Sequence, residues 1–298
     1  MTSDMCVIKN RYTKLLFDGY FISTKYDAHE EILINGDIPD TFCWVDIDYS
    51  DETRSAWSAD KHYFRLQYML VSGGKEKLQQ DHDWRMKLLG LLKYWLSHDF
   101  LNPNWWYNQI GVPQAMSNIM LMLESYLSID MQEMLLKIIA RGSMKTDDIS
   151  DHIYAALPQE VRQWTGANLL WGAATTVKHA ILTNDSELLY MAYDRICKEL
   201  KYDIEGIQLD GAFCQHGPRW YSGGYGRSFA YEIAPFIFCF QGTCCEFPKE
   251  KVNILLKHVL DGQRLMQQNG YFDYGAVGRE FTRPGDIHAG VLTSAVKL

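Results

Sequence analysis

A succession of apolar segments with helical spacing constrains this chain more than any other feature of its 298 residues. Residues 84–97 are apolar nearly all round, which is typical of a helix packed on both sides. Similar helical segments cover 55–72, 113–126, 131–141, 228–241 and the chain from Pro248 to Asn269-Gly270. Helix after helix with short connectors predicts an all-α fold, either an (α/α) toroid or an array of helical hairpins.

Local signals add helix starts and a few strands to this pattern. Thr165 and Asp185 stand where two further helices begin, and both residue types favour the N-cap position. Alternating patterns are scarce: 31–48 can form a short hairpin, and the "GYFDYG" stretch reads as an edge strand. No Pro/Ser-rich linker divides the chain, so the pattern predicts one domain over 1–298.

Composition narrows the classes of function. Hydrophobic residues make up 47% of the chain, which is typical of a globular protein, and the net charge is −8. An acidic chain is a poor general binder of nucleic acid or of anionic membranes, and no apolar run is long enough to span a bilayer. Residues 1–14 contain no continuous apolar core, so no signal peptide is predicted there.

Aromatic residues make up 13% of the chain and include nine Trp. Two interpretations stand side by side: a Trp-rich helical core, or flat rings that stack on sugar faces. The seven Cys are irregularly spaced and form no disulfide framework, and the adjacent Cys244 and Cys245 read as two buried thiols. Cys and His spacing indicates no zinc site, and we expect neither a metal nor a cofactor.

Two stretches place polar or aromatic groups where helices begin. In "NPNWWYNQIGVP", the flanking Pro and Gly residues predict that Trp105 and Trp106 lie on a loop between helices. They are either a stacking platform or anchors that fix the loop to the core. In "WTGANLL", Asn168 falls in the first turn of its helix, where it either faces an anion or caps the helix.

Two later stretches carry groups suited to proton transfer and anion binding. In "DGAFCQHGPRWYSGGYG", His216 and Tyr225 are nine residues apart, and the glycines between them let both side chains converge on one point. A His and a Tyr in this setting suit acid/base work. In "VGREFTRPG", Arg279 and Arg283 either bracket an anion or are two solvated surface arginines.

Together these four stretches, in this order, resemble polysaccharide lyase family 8, which includes hyaluronate, chondroitin AC and xanthan lyases. The resemblance covers roughly residues 55–298 and implies an incomplete (α/α) toroid with a cleft. It also implies a role for each matching residue. The catalytic set is Asn168, His216, Tyr225 and Arg279, and the substrate-binding set is Trp105, Trp106 and Arg283.

The resemblance further implies β-elimination on a uronic-acid polysaccharide, with Tyr225 as base and acid. A free Tyr has a pKa of about 10, and an adjacent guanidinium such as Arg279 typically lowers a pKa by about 1–3 units. Family members continue into β-sheet domains that supply one wall of the cleft, so we expect a further β-sheet domain or a partner chain. Relatives of this kind imply an extracellular or periplasmic location.

Two other functions stay open from the sequence. One is a non-catalytic or partner-dependent glycan-binding domain that lacks its second cleft wall. The other is a glycoside hydrolase, which needs two convergent carboxylates. Asp210 is the one appealing carboxylate in the motif loops, and we interpret it as a turn-former.

Overall fold

The computed structural model describes residues 3–21, 32–34, 41–143 and 164–282. Helices dominate these residues, and strands occur there as three short antiparallel hairpins. The nine α-helices of this part of the chain are α1 (Ser3–Phe17), α2 (Asp60–Gln80), α3 (His82–His98), α4 (Val112–Leu123), α5 (Ile129–Gly142), α6 (Gly166–Thr183), α7 (Ser186–Glu199), α8 (Arg227–Phe240) and α9 (Lys249–Lys257). The hairpins pair β1 (Ile32–Ile34) with β2 (Phe42–Trp44), β3 (Gly206–Ile207) with β4 (Phe213–Cys214), and β5 (Gln267–Gln268) with β6 (Tyr271–Phe272). The prediction of an all-α fold of helical hairpins with little sheet is confirmed, as is the hairpin within 31–48.

The chain divides into two compact units, one formed by Tyr12–Ser143 and one by Met1–Arg11 with Met144–Leu298. Compactness alone does not decide whether such units fold independently. The single domain over 1–298 therefore stays a prediction.

In the unit Tyr12–Ser143, helices pack as antiparallel pairs. One residue, Asp81, separates α2 from α3, and its carboxylate accepts a hydrogen bond from the Trp84 N–H at 2.9 Å. A Cβ on Gly73 would lie 2.3 Å from the Trp84 ring, so the close approach of α2 and α3 requires glycine there. Ser128 caps α5 in the same way, with its hydroxyl accepting from the Met131 N–H at 3.3 Å.

The core of this unit is rich in aromatic side chains. Trp44, Trp57 and Trp95 are fully buried, and the rings of Trp57 and Trp95 meet edge to face at 6.0 Å. Much of the tryptophan content therefore serves the core, as one of the two interpretations of the composition predicted.

In the other unit, α6 and α7 form the main helical pair. Asn184 ends α6 in the left-handed region, with φ of 56°, and Asp185 then caps α7 by accepting from the Leu188 N–H at 2.9 Å. The predicted start of this helix at Asp185 is confirmed. Helix α8 runs through Pro235 without ending there.

Several predicted element boundaries are wrong. The segment that begins after Pro248 leaves α-helical geometry at Lys257, and Asn269-Gly270 is the turn of the β5–β6 hairpin, with φ of 53° and 82°. An Asn-Gly pair adopts positive φ readily and marks a hairpin turn as well as a helix stop. Helix α2 begins at Asp60 instead of residue 55, since Ala56 has a φ of 57°.

All seven cysteines are free. The Sγ atoms of Cys244 and Cys245 are 3.9 Å apart; Cys245 is buried as predicted, whereas Cys244 is exposed, so that half of the prediction is wrong. Among the described residues no helix is both long and apolar enough to cross a membrane.

Candidate active site

The His216 side chain projects from a tight turn that follows the β3–β4 hairpin. Asp210 shapes the tip of that hairpin, because its Oδ1 accepts from the Ala212 N–H at 2.9 Å, which confirms the predicted turn-former. After β4, His216 and Gly217 both adopt left-handed backbone, with φ of 62° and 83°. Left-handed backbone is uncommon for a residue with a Cβ, and residues held in it cluster at functional sites.

Tyr225 lies in a single π-helical turn, Ser222–Gly226, directly before α8. Such turns inside helical segments are frequent at functional sites. The turn packs tightly: a Cβ on Gly224 would lie 2.3 Å from the Tyr221 ring. The same Tyr221 ring meets Tyr225 edge to face, with centroids 4.8 Å apart.

Two nitrogens meet at the phenol oxygen of Tyr225. The Nε2 atom of His216 lies 3.1 Å from it, and Nη2 of Arg279 donates to it at 3.3 Å. Tyr225 itself is half-buried, while His216 and Arg279 are exposed. The phenol oxygen is therefore held between an imidazole and a guanidinium and does not point into packed interior.

The protonation states of His216 and Arg279 depend on burial and on the neighbouring charged groups. Partial burial and the neighbouring guanidinium of Arg279 lower the pKa of His216, which favours a neutral imidazole at neutral pH. Burial opposes the charge on Arg279, but attraction from the hydroxyls of Tyr225 and Tyr221 and from Glu280 outweighs it and raises the pKa of Arg279. A permanent positive charge beside Tyr225 favours the ionised form of that phenol.

Tyr221 keeps the arginine in place and stays protonated. Its hydroxyl donates to Oε1 of Glu280 at 3.1 Å, and burial together with this carboxylate raises the pKa of Tyr221 to about 12. A Cβ on Gly278, which begins the short helix carrying Arg279, would lie 2.8 Å from the Tyr221 ring. Arg279 therefore lies near both tyrosine hydroxyls, and Tyr221 in addition donates to a carboxylate that keeps it protonated.

Asn168 occupies the first turn of α6, as predicted. Its Oδ1 atom is buried and, among the described residues, accepts no hydrogen bond. Trp171, one turn further along the same face of α6, lies 6.1 Å from the Tyr225 ring between centroids. Because this oxygen accepts no backbone N–H, the alternative of a helix cap through it finds no support.

Three polar residues that the sequence did not single out hold the start of α6. Thr165 stands at the N-cap position, but its hydroxyl does not cap the helix; it donates to Oε2 of Glu205 at 2.5 Å. The Gly166 N–H donates to Glu199 at 2.5 Å, and the Ala167 N–H donates to Gln215 at 3.3 Å. No local pattern signals these partners, because each lies more than thirty residues from the helix start.

The remaining predicted site residues are Trp105, Trp106 and Arg283. Trp105 and Trp106 are half-buried and lie in a first helical turn, where the Trp106 N–H donates to Asn104 at 3.1 Å. Their predicted placement on a loop is wrong, because Asn104 starts the helix earlier than Pro113 suggested. Arg283 lies outside the described residues. No group of three or more potential metal ligands is found within the part of the chain that the structure describes.

Comparison with known proteins identifies the family of this chain. The family model described as "Polysaccharide lyase family 8, N terminal alpha-helical domain" matches residues 23–293. The chain belongs to polysaccharide lyase family 8. The family 8 motif order noted in the sequence is thus supported over most of the chain.

The relatives within polysaccharide lyase family 8 have low sequence identity to this chain and are longer than it. Chondroitinase-AC of Pedobacter heparinus is 26% identical over 81% of this chain and 33% of its own length. Xanthan lyase of Bacillus sp. strain GL1 is 24% identical over 86% of this chain and 28% of its own length. A chondroitinase AC lyase solved as oligosaccharide complexes superposes on 99% of this chain and 42% of its own, with a TM-score of 0.77 and 22% identity. This family 8 chain therefore spans about a third of the curated relatives it matches.

Proposed function

We propose that this chain carries the catalytic helical domain of a lyase that cleaves a uronic-acid polysaccharide by β-elimination. The single observation that carries the proposal is the phenol oxygen of Tyr225, which lies within hydrogen-bond distance of His216 and Arg279. Membership of family 8 and relatives named chondroitinase, hyaluronate lyase and xanthan lyase support the substrate class.

In the proposed reaction Tyr225 acts as base and then as acid. The phenolate takes the proton from C5 of the uronate, the C5–H electron pair forms the C4=C5 double bond, and the C4–O4 bond breaks. The departing O4 then takes the proton from the Tyr225 hydroxyl, so the enzyme returns to its starting state. The products are an unsaturated uronate and a polysaccharide with a free hydroxyl.

The other residues lower the barriers of these steps. Loss of the C5 proton adds negative charge to the uronate carboxylate, and preorganised donors stabilise such charge. Asn168 donates from its side-chain amide without competing as a base. A neutral His216 can accept from the phenol or donate to the phenolate, so it accommodates both protonation states of Tyr225. Arg279 favours the phenolate.

Substrate binding along the chain stays a proposal as well. Trp105, Trp106 and Arg283 are proposed to contact the polysaccharide, by stacking for the tryptophans and by ion pairing for the arginine. A further β-sheet domain or partner chain is proposed to complete the binding site, which the greater length of the relatives supports.

The first test detects the C4=C5 double bond of the product by its absorbance. Incubation with hyaluronan, chondroitin or xanthan is expected to produce short-wavelength ultraviolet absorbance, because the new C=C bond of the unsaturated uronate is conjugated to its carboxylate. Tyr225→Phe is expected to reduce kcat by about 100-fold or more, because general acid–base catalysis contributes about 10²–10⁴-fold, while binding persists. Tyr190→Phe, at an exposed tyrosine of α7, is the matched control.

Three outcomes would contradict the proposal. Saccharide products without a double bond would indicate a hydrolase. Polysaccharide binding by calorimetry with no product from any of the three polymers would favour a glycan-binding domain. Full activity of Tyr225→Phe would reassign the base.

A further inference from the structure

The Glu205 carboxylate joins two segments that carry candidate catalytic residues. Glu205 is half-buried and lies directly before β3, and three donors converge on its carboxylate. Its Oε1 accepts from the Gly217 N–H, and its Oε2 accepts from the Thr165 hydroxyl at 2.5 Å. The buried Gln215 side chain also donates to Oε2, at 3.4 Å.

The hydrogen bonds to Oε2 of Glu205 connect it to the start of α6. Thr165 immediately precedes α6, and Asn168 is three residues further on. Gln215 strengthens the link, because its Oε1 accepts from the Ala167 N–H at 3.3 Å while its Nε2 faces both Thr165 and Glu205. The start of the helix that carries Asn168 is therefore bound to Glu205, directly through Thr165 and indirectly through Gln215, in addition to the bond from Gly166 to Glu199.

The other bond reaches the His216 turn. Gly217 is the residue after His216, and both have positive φ. A hydrogen bond from the Gly217 N–H to a charged acceptor stabilises this unusual backbone, because bonds to ionised acceptors are roughly twice as strong as neutral ones. The carboxylate thus holds the turn whose imidazole meets the Tyr225 hydroxyl.

Four groups set the charge that His216 experiences. Arg279, Arg219 and burial disfavour its protonated form, whereas Glu205 favours it. The Tyr225 hydroxyl lies at its Nε2. Removal of the Glu205 charge therefore lowers the pKa of the His216 imidazole and also weakens the hydrogen bond to the Gly217 backbone.

We propose that Glu205 is a positioning residue that holds the first turn of α6, with Asn168, in register with the His216 turn. One uronate carboxylate can then meet both side chains at once. This inference rests on the proposed lyase activity of the same site. Glu205 touches neither substrate nor the reacting atoms in this scheme; it acts through Thr165, Gln215 and Gly217.

The test replaces Glu205 with Gln in the full chain. Glutamine has one acceptor oxygen where glutamate has two, and it carries no charge. We expect kcat to fall by about 10–100-fold with KM changed much less, since small misplacement of catalytic groups costs up to about 100-fold. Histidine NMR titration is expected to show a further lowered pKa for His216. The thermal midpoint is expected to stay near that of the wild type.

A matched control and a second variant separate positioning from folding. Glu246→Gln makes the same chemical change at a carboxylate that accepts the Gly242 N–H at 2.8 Å, and it is expected to leave kcat and the His216 titration unchanged. If Glu205→Gln does not fold, Thr165→Val removes the hydroxyl, with its bonds to Glu205 and Gln215, and keeps the Glu205 carboxylate; Thr183→Val at the other end of α6 is its control.

The outcomes distinguish this inference from the proposed function. Wild-type kcat and an unchanged His216 titration in Glu205→Gln, with an active parent, would overturn the positioning role. An inactive parent chain would contradict the proposed function instead. The His216 titration then still decides whether Glu205 acts on the imidazole.

Discussion

At the scale of single residues, the environment of one oxygen decides the chemistry. Tyr221 and Tyr225 are neighbours with rings in contact, and Arg279 lies near both hydroxyls, yet the Tyr221 hydroxyl donates to Glu280 whereas the Tyr225 oxygen accepts from Arg279. A carboxylate keeps a phenol protonated, and a guanidinium favours its ionisation. The two tyrosines therefore have different proposed functions despite equal chemistry.

This contrast predicts the effect of Arg279→Met on the pH dependence of elimination. Loss of the guanidinium disfavours the phenolate, so the rising limb of kcat/KM is expected to move to higher pH by about 1 unit or more. At neutral pH kcat/KM is expected to fall by about tenfold or more. The measurement is a pH–rate profile, with Arg264→Met at an exposed arginine as control. A profile that does not move would show that Arg279 does not tune the base.

At the scale of elements, close approaches decide where helices begin. Gly166 starts α6 with a φ of 57°, and a Cβ there would lie 2.0 Å from Oε1 of Gln215. Alanine at this position is strained by its backbone and also collides with the side chain that accepts from Ala167. Glycine is thus required at position 166 for two independent reasons, the backbone conformation and the close contact with Gln215.

A pair of glycine substitutions separates these two demands. Gly242 has a similar φ of 71°, but an added Cβ there meets nothing within 4 Å. Gly242→Ala is expected to cost about 1 kcal/mol from backbone strain, and Gly166→Ala about 1–3 kcal/mol more from the collision. Urea unfolding with unchanged m-values measures both. Equal losses in the two variants would show that Gln215 moves aside freely.

At the scale of the whole molecule, each compact unit buries a neutral histidine. His258 is fully buried, with Nδ1 at 2.9 Å from the Gly211 carbonyl and Nε2 at 3.1 Å from the Gln263 amide. Burial lowers the pKa of His258 to about 4 and that of His62, in the other unit, to about 3. Both rings therefore resist protonation in the folded chain.

These buried histidines predict acid sensitivity. An unfolded histidine has a pKa near 6.5, so the folded state binds fewer protons below that pH; stability is fully present above pH 6.5 and is lost as pH falls towards 4. His258 alone is expected to account for on the order of 3 kcal/mol over this range. Chemical unfolding at pH 7.5 and pH 4 measures it. His258→Gln is expected to lose less stability on acidification, and the exposed His82→Gln as much as the wild type.

Much of the fold could be predicted from sequence because helix formation leaves local marks. The all-α class, the start of a helix at Asp185 and the hairpin within 31–48 follow from periodicity and residue type alone. Boundaries were less predictable, since Asn269-Gly270 suits both a helix stop and a hairpin turn. Only the pairing of β5 with β6 decides between them.

The candidate site was likewise predictable from the sequence in part. Four motifs singled out Asn168, His216, Tyr225 and Arg279, and the resemblance of these motifs to family 8 implied that the four residues form the catalytic set. Only the tertiary structure decided that three of them meet at one oxygen, and that Glu205 links Thr165, forty residues away, to Gly217. Side-chain hydrogen bonds between distant segments depend on how the backbone folds, and no local pattern encodes them.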